Sequence, residues 1–419
     1  MQPPLVVRVA LNPRWRIARI WRGTISKNPT MRNLFVVFAA LLTLSLAVHV
    51  KAGPDAPRRE LLDTLPTRPT EPLTVEMKTL IPAVNKNPQD AELAVRLSRT
   101  FYQQAVREGE LRFIGYARGV LAPWWAMRAP PVEVQLMRAN LRQYVHEFNR
   151  ATDDLTDVLA RQPDHVQALA IRAAINTVQA DYPAARADCD RLQPLTTELI
   201  GFACGASIDA LTGKARQSYD ALLALLTRHP RVRPEEKLWV LTRLAEMAER
   251  IGDHEAAEHR FRQALFTDPR DQYLLAAYAD HLLDRQRPAE VVTLLKDRTG
   301  AEHLLLRLVL AEQQLGLPAF GEHRKMVEEA FASARRKGHT VHEQEESRFV
   351  LHVLGDSAHA LTLAVSNWQV QREARDARVV LESALAAGDK DAARPTLRWM
   401  HDSGIEDITL RELASRLEK

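Results

Sequence analysis

The sequence predicts an all-α fold, a curved stack of helix pairs, and three observations predict it. Ala and Leu, both strong helix formers, recur throughout, while only 16 of 419 residues are Gly. No run of alternating β-branched residues is long enough to build a sheet. Residues of matching size recur at a step of 34: Ala139/Ala173, Phe148/Tyr182, Ala151/Ala185 and Leu155/Cys189, with Ser207 extending the small-residue series. A repeat of that length is one helix hairpin. One hairpin cannot bury its apolar face alone, so successive hairpins lean on one another. At 419 residues and 46% hydrophobic, the chain is longer than one compact core usually serves and has the apolar surface for such a stack.

Residues 1–52 read as a basic leader followed by an export segment. The first 51 residues hold eight basic side chains and no Asp or Glu. Leu34 to Val48 is apolar apart from Thr43 and Ser45, and small residues follow at Val50-Lys51-Ala52. This predicts export to the periplasm, either with cleavage of a signal peptide or with residues 34–50 kept as an inner-membrane anchor. Met31 opens a compact version of the same signal, so translation starts at Met1 or at Met31. Beyond Lys51, 49 basic residues face 53 acidic ones, a net charge of −4. The folded part therefore lacks the positive balance of a nucleic-acid binder.

Residues 53–84 make a linker and a first helix, the linker stiffened by Pro54, Pro57, Pro66, Pro69 and Pro72. Residues 85–404 carry the repeats. The clearest unit reads Leu241, Leu244, Ala245, Ala248, Gly252-Asp253, Ala257, Phe261, Ala264 and Asp268-Pro269. The next keeps the step with Leu275, Tyr278, Ala279, Leu282, Val291 and Leu295. Weaker units place turns at Gly213, Gly316, Gly355 and Gly388. Extra length at residues 231–236 and an early helix end near 297–302 predict breaks in the regular pitch. Residues 405–419 suit a capping helix.

The clearest unit resembles the tetratricopeptide repeat: small residues on the first helix, a Gly-Asp turn, Ala and an aromatic on the second, a closing Asp-Pro. The resemblance spans roughly residues 85–405 and is strongest over 130–295. It implies a right-handed α-α superhelix of roughly eight to nine helix pairs. It also implies a non-catalytic scaffold without cofactors, whose first helices line a concave face for a protein or peptide. The whole reads as an exported bacterial protein of this family, serving the envelope.

Chemistry-bearing residues are few. His254 and His259 are five apart, about 140° around a helix, so they do not form a zinc-protease pair. His339, His342, Glu343, Glu345 and Glu346 form the one dense His/Glu cluster, and they fit a solvated, acidic helix start better than a metal site. Cys189 and Cys204 fall on adjacent helices, compatible with a disulfide worth about 3 kcal/mol and also with two buried thiols. Trp124-Trp125 fits a plug between an irregular first module and the regular array better than a partner contact.

For the concave face, helical spacing picks Asn140, Gln143, Tyr144 and Thr177, then Trp239, Thr242, Glu246 and Glu249, then Tyr273, Asp280 and Asp284. Four carboxylates and two aromatics at its centre suit an extended or helical peptide with basic residues. Two other readings are an envelope hydrolase, metal-dependent through His342 or otherwise, and a structural subunit of a self-assembling oligomer.

Overall fold

The computed structural model describes residues 74–108, 112–336 and 342–418; the leader, the export segment and most of the linker lie outside them. Among the described residues there is no strand. None of their helices is long and apolar enough to cross a membrane. An irregular module opens the fold: α1 (Val75–Lys86), α2 (Ala91–Glu108), α3 (Arg112–Val120) and α4 (Ala122–Trp125). Eight helix pairs follow. They are α5 (Val132–Tyr144) with α6 (Phe148–Arg161), α7 (Val166–Val178) with α8 (Tyr182–Leu192), and α9 (Glu198–Asp209) with α10 (Ala215–Arg228). Next come α11 (Pro234–Arg250) with α12 (His254–Thr267), α13 (Gln272–Asp284) with α14 (Pro288–Leu295), and α15 (Glu302–Leu315) with α16 (Phe320–Arg336). The last pairs are α17 (Glu343–Phe349) with α18 (Ser357–Val370) and α19 (Ala374–Ala387) with α20 (Lys390–Ser403). α21 (Ile408–Glu418) ends the chain and buries Leu410, Leu413 and Leu417.

The small residues of the repeat lie where helices touch. Leu244, Ala245, Ala248, Ala257, Phe261 and Ala264 are all fully buried between α11, α12 and their neighbours. Alanines let the two helices approach, and the larger side chains fill the gap to the next pair. Each hairpin turns through one residue in the left-handed region. These are His146, Ala180, Gly213, Gly252, Gln286, Gly316, Gly355 and Gly388, spaced 34, 33, 39, 34, 30, 39 and 33 residues apart. The first departure coincides with the extra chain at 231–236, and the second with the short α14, which stops at Leu295. Asp181, Asp253, Asp356 and Asp389 then cap the second helices, each side chain accepting a backbone N–H three residues on, at 3.0–3.1 Å.

Two pairs of charges repeat with the helices. Arg138 meets Asp154 at 2.6 Å, and Arg172 meets Asp188 at 2.7 Å, 34 residues later. Arg138 also donates to the carbonyls of Trp124, Trp125 and Met127 at 3.2, 2.8 and 2.8 Å. Trp124 is buried. Trp125 lies under the guanidinium groups of Arg118 and Arg142, 4.7 and 5.6 Å from the ring centre. The tryptophan pair thus sits at the junction of the opening module and the array. A disulfide joins Cys189 on α8 to Cys204 on α9, with Cα atoms 5.5 Å apart, so the alternative of two free thiols is set aside.

The stack closes on itself. The segment from Gln371 to Ile408 runs along the hairpin turns of four successive early pairs, in the same order. Gln371 Nε2 lies 2.8 Å from His146 Nε2, and the Arg372 N–H donates to the Val178 carbonyl at 2.8 Å. Trp399 Nε1 donates to Tyr182 Oη at 3.2 Å, and Glu406 accepts the Ala215 N–H at 2.6 Å. Gly213 and Gly252 have φ of +82° and +78°. A Cβ at either would come within 3.2 Å of Gly404 O or Ile408 Cδ1. The glycines thus serve the turn and the close approach of the returning chain together.

Candidate functional site

Closure leaves a hollow of about 470 Å³, walled on one side by the early first helices and on the other by α19 and the start of α21. On α13 the lining residues Tyr273, Ala276, Ala277, Asp280, His281 and Asp284 fall on one helical stripe. On α11 only the C-terminal half reaches it, through Arg243, Glu246, Glu249 and Arg250.

Of the eleven residues picked from helical spacing, Thr177, Glu246, Glu249, Tyr273, Asp280 and Asp284 come together around the hollow. The other five do not line it. Asn140, Gln143, Trp239 and Thr242 are buried in helix packing. Thr242 turns its hydroxyl back to the Leu238 carbonyl at 2.9 Å. Tyr144 packs edge-on against Tyr102, 5.6 Å between centroids. The reason is geometric: a first helix is flanked by its neighbours along its whole length, and the hollow touches only one part of it.

Three of the four carboxylates are met by the protein's own arginines. Asp280 accepts Arg307 at 2.7 Å and Arg348 at 2.6 Å. Asp284 accepts Arg378 through two bonds of 2.6 and 2.7 Å. Glu246 takes Arg243 at 2.9 Å and the Tyr273 hydroxyl. The Tyr273 ring lies between two guanidinium groups, Arg243 at 5.2 Å and Arg375 at 5.4 Å. Arg375 also donates to the Tyr273 hydroxyl at 3.1 Å.

Glu249 differs. Its partner is His281, with Nδ1 at 2.9 Å, and among the described residues no Lys or Arg forms an ion pair with it. Burial, then the nearby carboxylates of Asp284, Glu246, Asp280 and Asp407, push its acid well above the ordinary range. Burial pulls His281 down, so the pair favours its neutral forms. Burial would also raise Asp280, but Arg307 and Arg348 outweigh it and hold that carboxyl at about 2. Glu382, facing His352 and Arg378, is likewise held at about 2 against the effect of burial. The hollow therefore carries charges of both signs on rigid helices and a carboxyl that resists ionisation.

The other candidate cluster comes apart. His342 Nδ1 lies 2.8 Å from Glu302, Glu346 pairs with Arg335, and Glu345 takes Arg307 at 2.9 Å. His339 lies outside the described residues. No group of three or more His, Cys, Asp or Glu side chains among the described residues is arranged to hold a metal ion. His254 lines the hollow at the start of α12, whereas His259 is exposed.

Sequence reasoning missed the arginines that meet the carboxylates. Arg348, Arg375 and Arg378 lie 68 to 102 residues from their partners. The Arg138–Asp154 and Arg172–Asp188 pairs did carry a signal, the same 34-residue step as the apolar residues.

A family model described as tetratricopeptide repeat matches residues 210–318, from the end of α9 to just past α15. No curated protein matches the chain.

Proposed function

We propose that this tetratricopeptide-repeat protein is a non-catalytic scaffold that binds another protein or peptide in the bacterial envelope. The observation that carries the reading is the hollow itself: a concave surface of about 470 Å³, charged, and built on packed first helices. Repeats of this family typically bind proteins or peptides. Rigid helices hold the charged groups in place, so little ordering cost falls on the receptor when a partner docks. Envelope location is supported by the apolar run from Leu34 to Val48 behind basic residues, and by the Cys189–Cys204 disulfide, a bond at home in an oxidising compartment.

The test is site-specific photo-crosslinking in the native envelope. A photoreactive residue at Thr177 or Leu211, both lining the hollow, is expected to capture a defined protein. The same residue at Glu255, exposed on a second helix, is expected to capture none. Equal capture from both faces, or none from the hollow, overturns the scaffold reading.

A further inference from the structure

The side of the hollow formed by α13 is occupied by the protein's own arginines. Arg375 and Arg378 stand one turn apart on α19 and reach Tyr273 and Asp284, 102 and 94 residues away in sequence. One guanidinium lies over the tyrosine ring and bonds its hydroxyl; the other grips the carboxylate with two parallel bonds. Both geometries belong to arginine. A lysine ammonium has no planar fork to match a carboxylate and stacks less well on a ring. The Arg378 and Asp284 side chains keep 31% and 38% of their surface open, so the pair is still hydrated and exchangeable.

α19 lines the hollow through Arg375, Arg378, Val379 and Glu382, so a segment that seats on Tyr273 and Asp284 has to take the place of its two arginines.

We propose that Tyr273 and Asp284 form a receptor for paired guanidinium groups, filled in this closed form by Arg375 and Arg378, and that an arginine-bearing segment of a protein partner replaces them. The inference rests on the scaffold reading and adds the partner's chemistry and a competition. The intramolecular arginines lower the apparent affinity for such a segment by the fraction of time the receptor is free. Removing them raises that affinity.

The experiment uses the full chain and two labelled probes, hexa-arginine and hexa-lysine peptides, followed by fluorescence anisotropy. The R375A/R378A variant is expected to bind hexa-arginine about tenfold more tightly than the wild type, the fraction-free factor removed. Hexa-lysine is expected to bind more weakly than hexa-arginine to both. Adding D284N to the double variant is expected to abolish the gain. Equal hexa-arginine affinity in wild type and a folded double variant overturns the proposal, as does equal affinity for the two peptides. Hydrogen exchange on the wild type covers the case of a variant that fails to fold. Saturating hexa-arginine is expected to speed amide exchange within residues 374–387, and unchanged exchange at saturation overturns the proposal. Crosslinking to a partner that persists while these results fail would leave the scaffold standing and remove the arginine receptor and its competition.

Discussion

Arg378 and Asp284 meet through two parallel hydrogen bonds of 2.6 and 2.7 Å, although 94 residues of chain separate them. The contact joins the last pair of helices to the middle of the array and adds to the closure of the stack. Because both side chains remain about one-third exposed, water and salt weaken the pair. Asp284→Asn is expected to lower stability by about 1 kcal/mol at low salt, and by less at high salt. Urea unfolding at two ionic strengths checks it; a loss that ignores salt contradicts the electrostatic account.

The Cys189–Cys204 bridge closes a 15-residue separation between two packed helices. Removing it with Cys189→Ala/Cys204→Ala is expected to cost about 3 kcal/mol, chiefly by freeing the unfolded chain. Thiol titration of the unfolded, unreduced protein is expected to find no thiol. Two titrating thiols would show the pair unbridged.

The hollow titrates with two opposite signs. Glu249 has a raised folded pKa, so between its unfolded value near 4.5 and its folded value the native state holds the extra proton. Stability from this group is present in acid and lost as pH rises. Glu249→Gln is therefore expected to stabilise the protein at about pH 8, with the gain vanishing towards about pH 4.5. Asp280, held at about 2, contributes stability above its unfolded value near 3.8 and loses it as pH falls towards 2. Asp280→Asn is expected to destabilise at neutral pH and to flatten the acid limb. Thermal melts across pH read both signs; the same sign for both variants contradicts the assignment.

Arg138 and Asp154 are each only 4% exposed. Arg138→Ala leaves the Asp154 carboxylate with Arg142 and the Gln135 amide, and takes a donor from the carbonyls of Trp124, Trp125 and Met127. The expected loss is about 3 kcal/mol, with new protease cleavage between residues 121 and 131. Intact chain after limited proteolysis would show that Arg138 does not hold the opening module.

Ala180 turns its hairpin at φ +62°, a conformation that most of the later hairpins give to glycine. Ala180→Gly is expected to stabilise the protein by up to about 1 kcal/mol by removing the Cβ clash. A melting temperature that falls instead would mean the added chain freedom outweighs the relieved strain.

The sequence spoke most clearly where physics is local. Ala245, Ala248, Ala257 and Phe261 have to be spaced as they are for two helices to approach, and the glycine turns at 213, 252, 316, 355 and 388 read directly. His146, Ala180 and Gln286 turn their hairpins without glycine and gave no such signal. The acidic stripe of Glu246, Glu249, Asp280 and Asp284 was legible because it follows helical spacing. Its neutralisation was not, because the return of Arg375 and Arg378 depends on pitch summed over many pairs, including the 39- and 30-residue steps. Trp239 and Thr242 were placed on the concave face because spacing along one helix does not reveal which part of that helix a neighbour covers.

Closure is the claim on which the hollow and its proposed partner both depend. It is tested most directly by pulsed electron resonance between spin labels at Arg216→Cys and Asp402→Cys, two exposed positions beside the Gly213–Gly404 approach. The account predicts one short, narrow distance. A broad distribution at long distance would describe an open arc and contradict it.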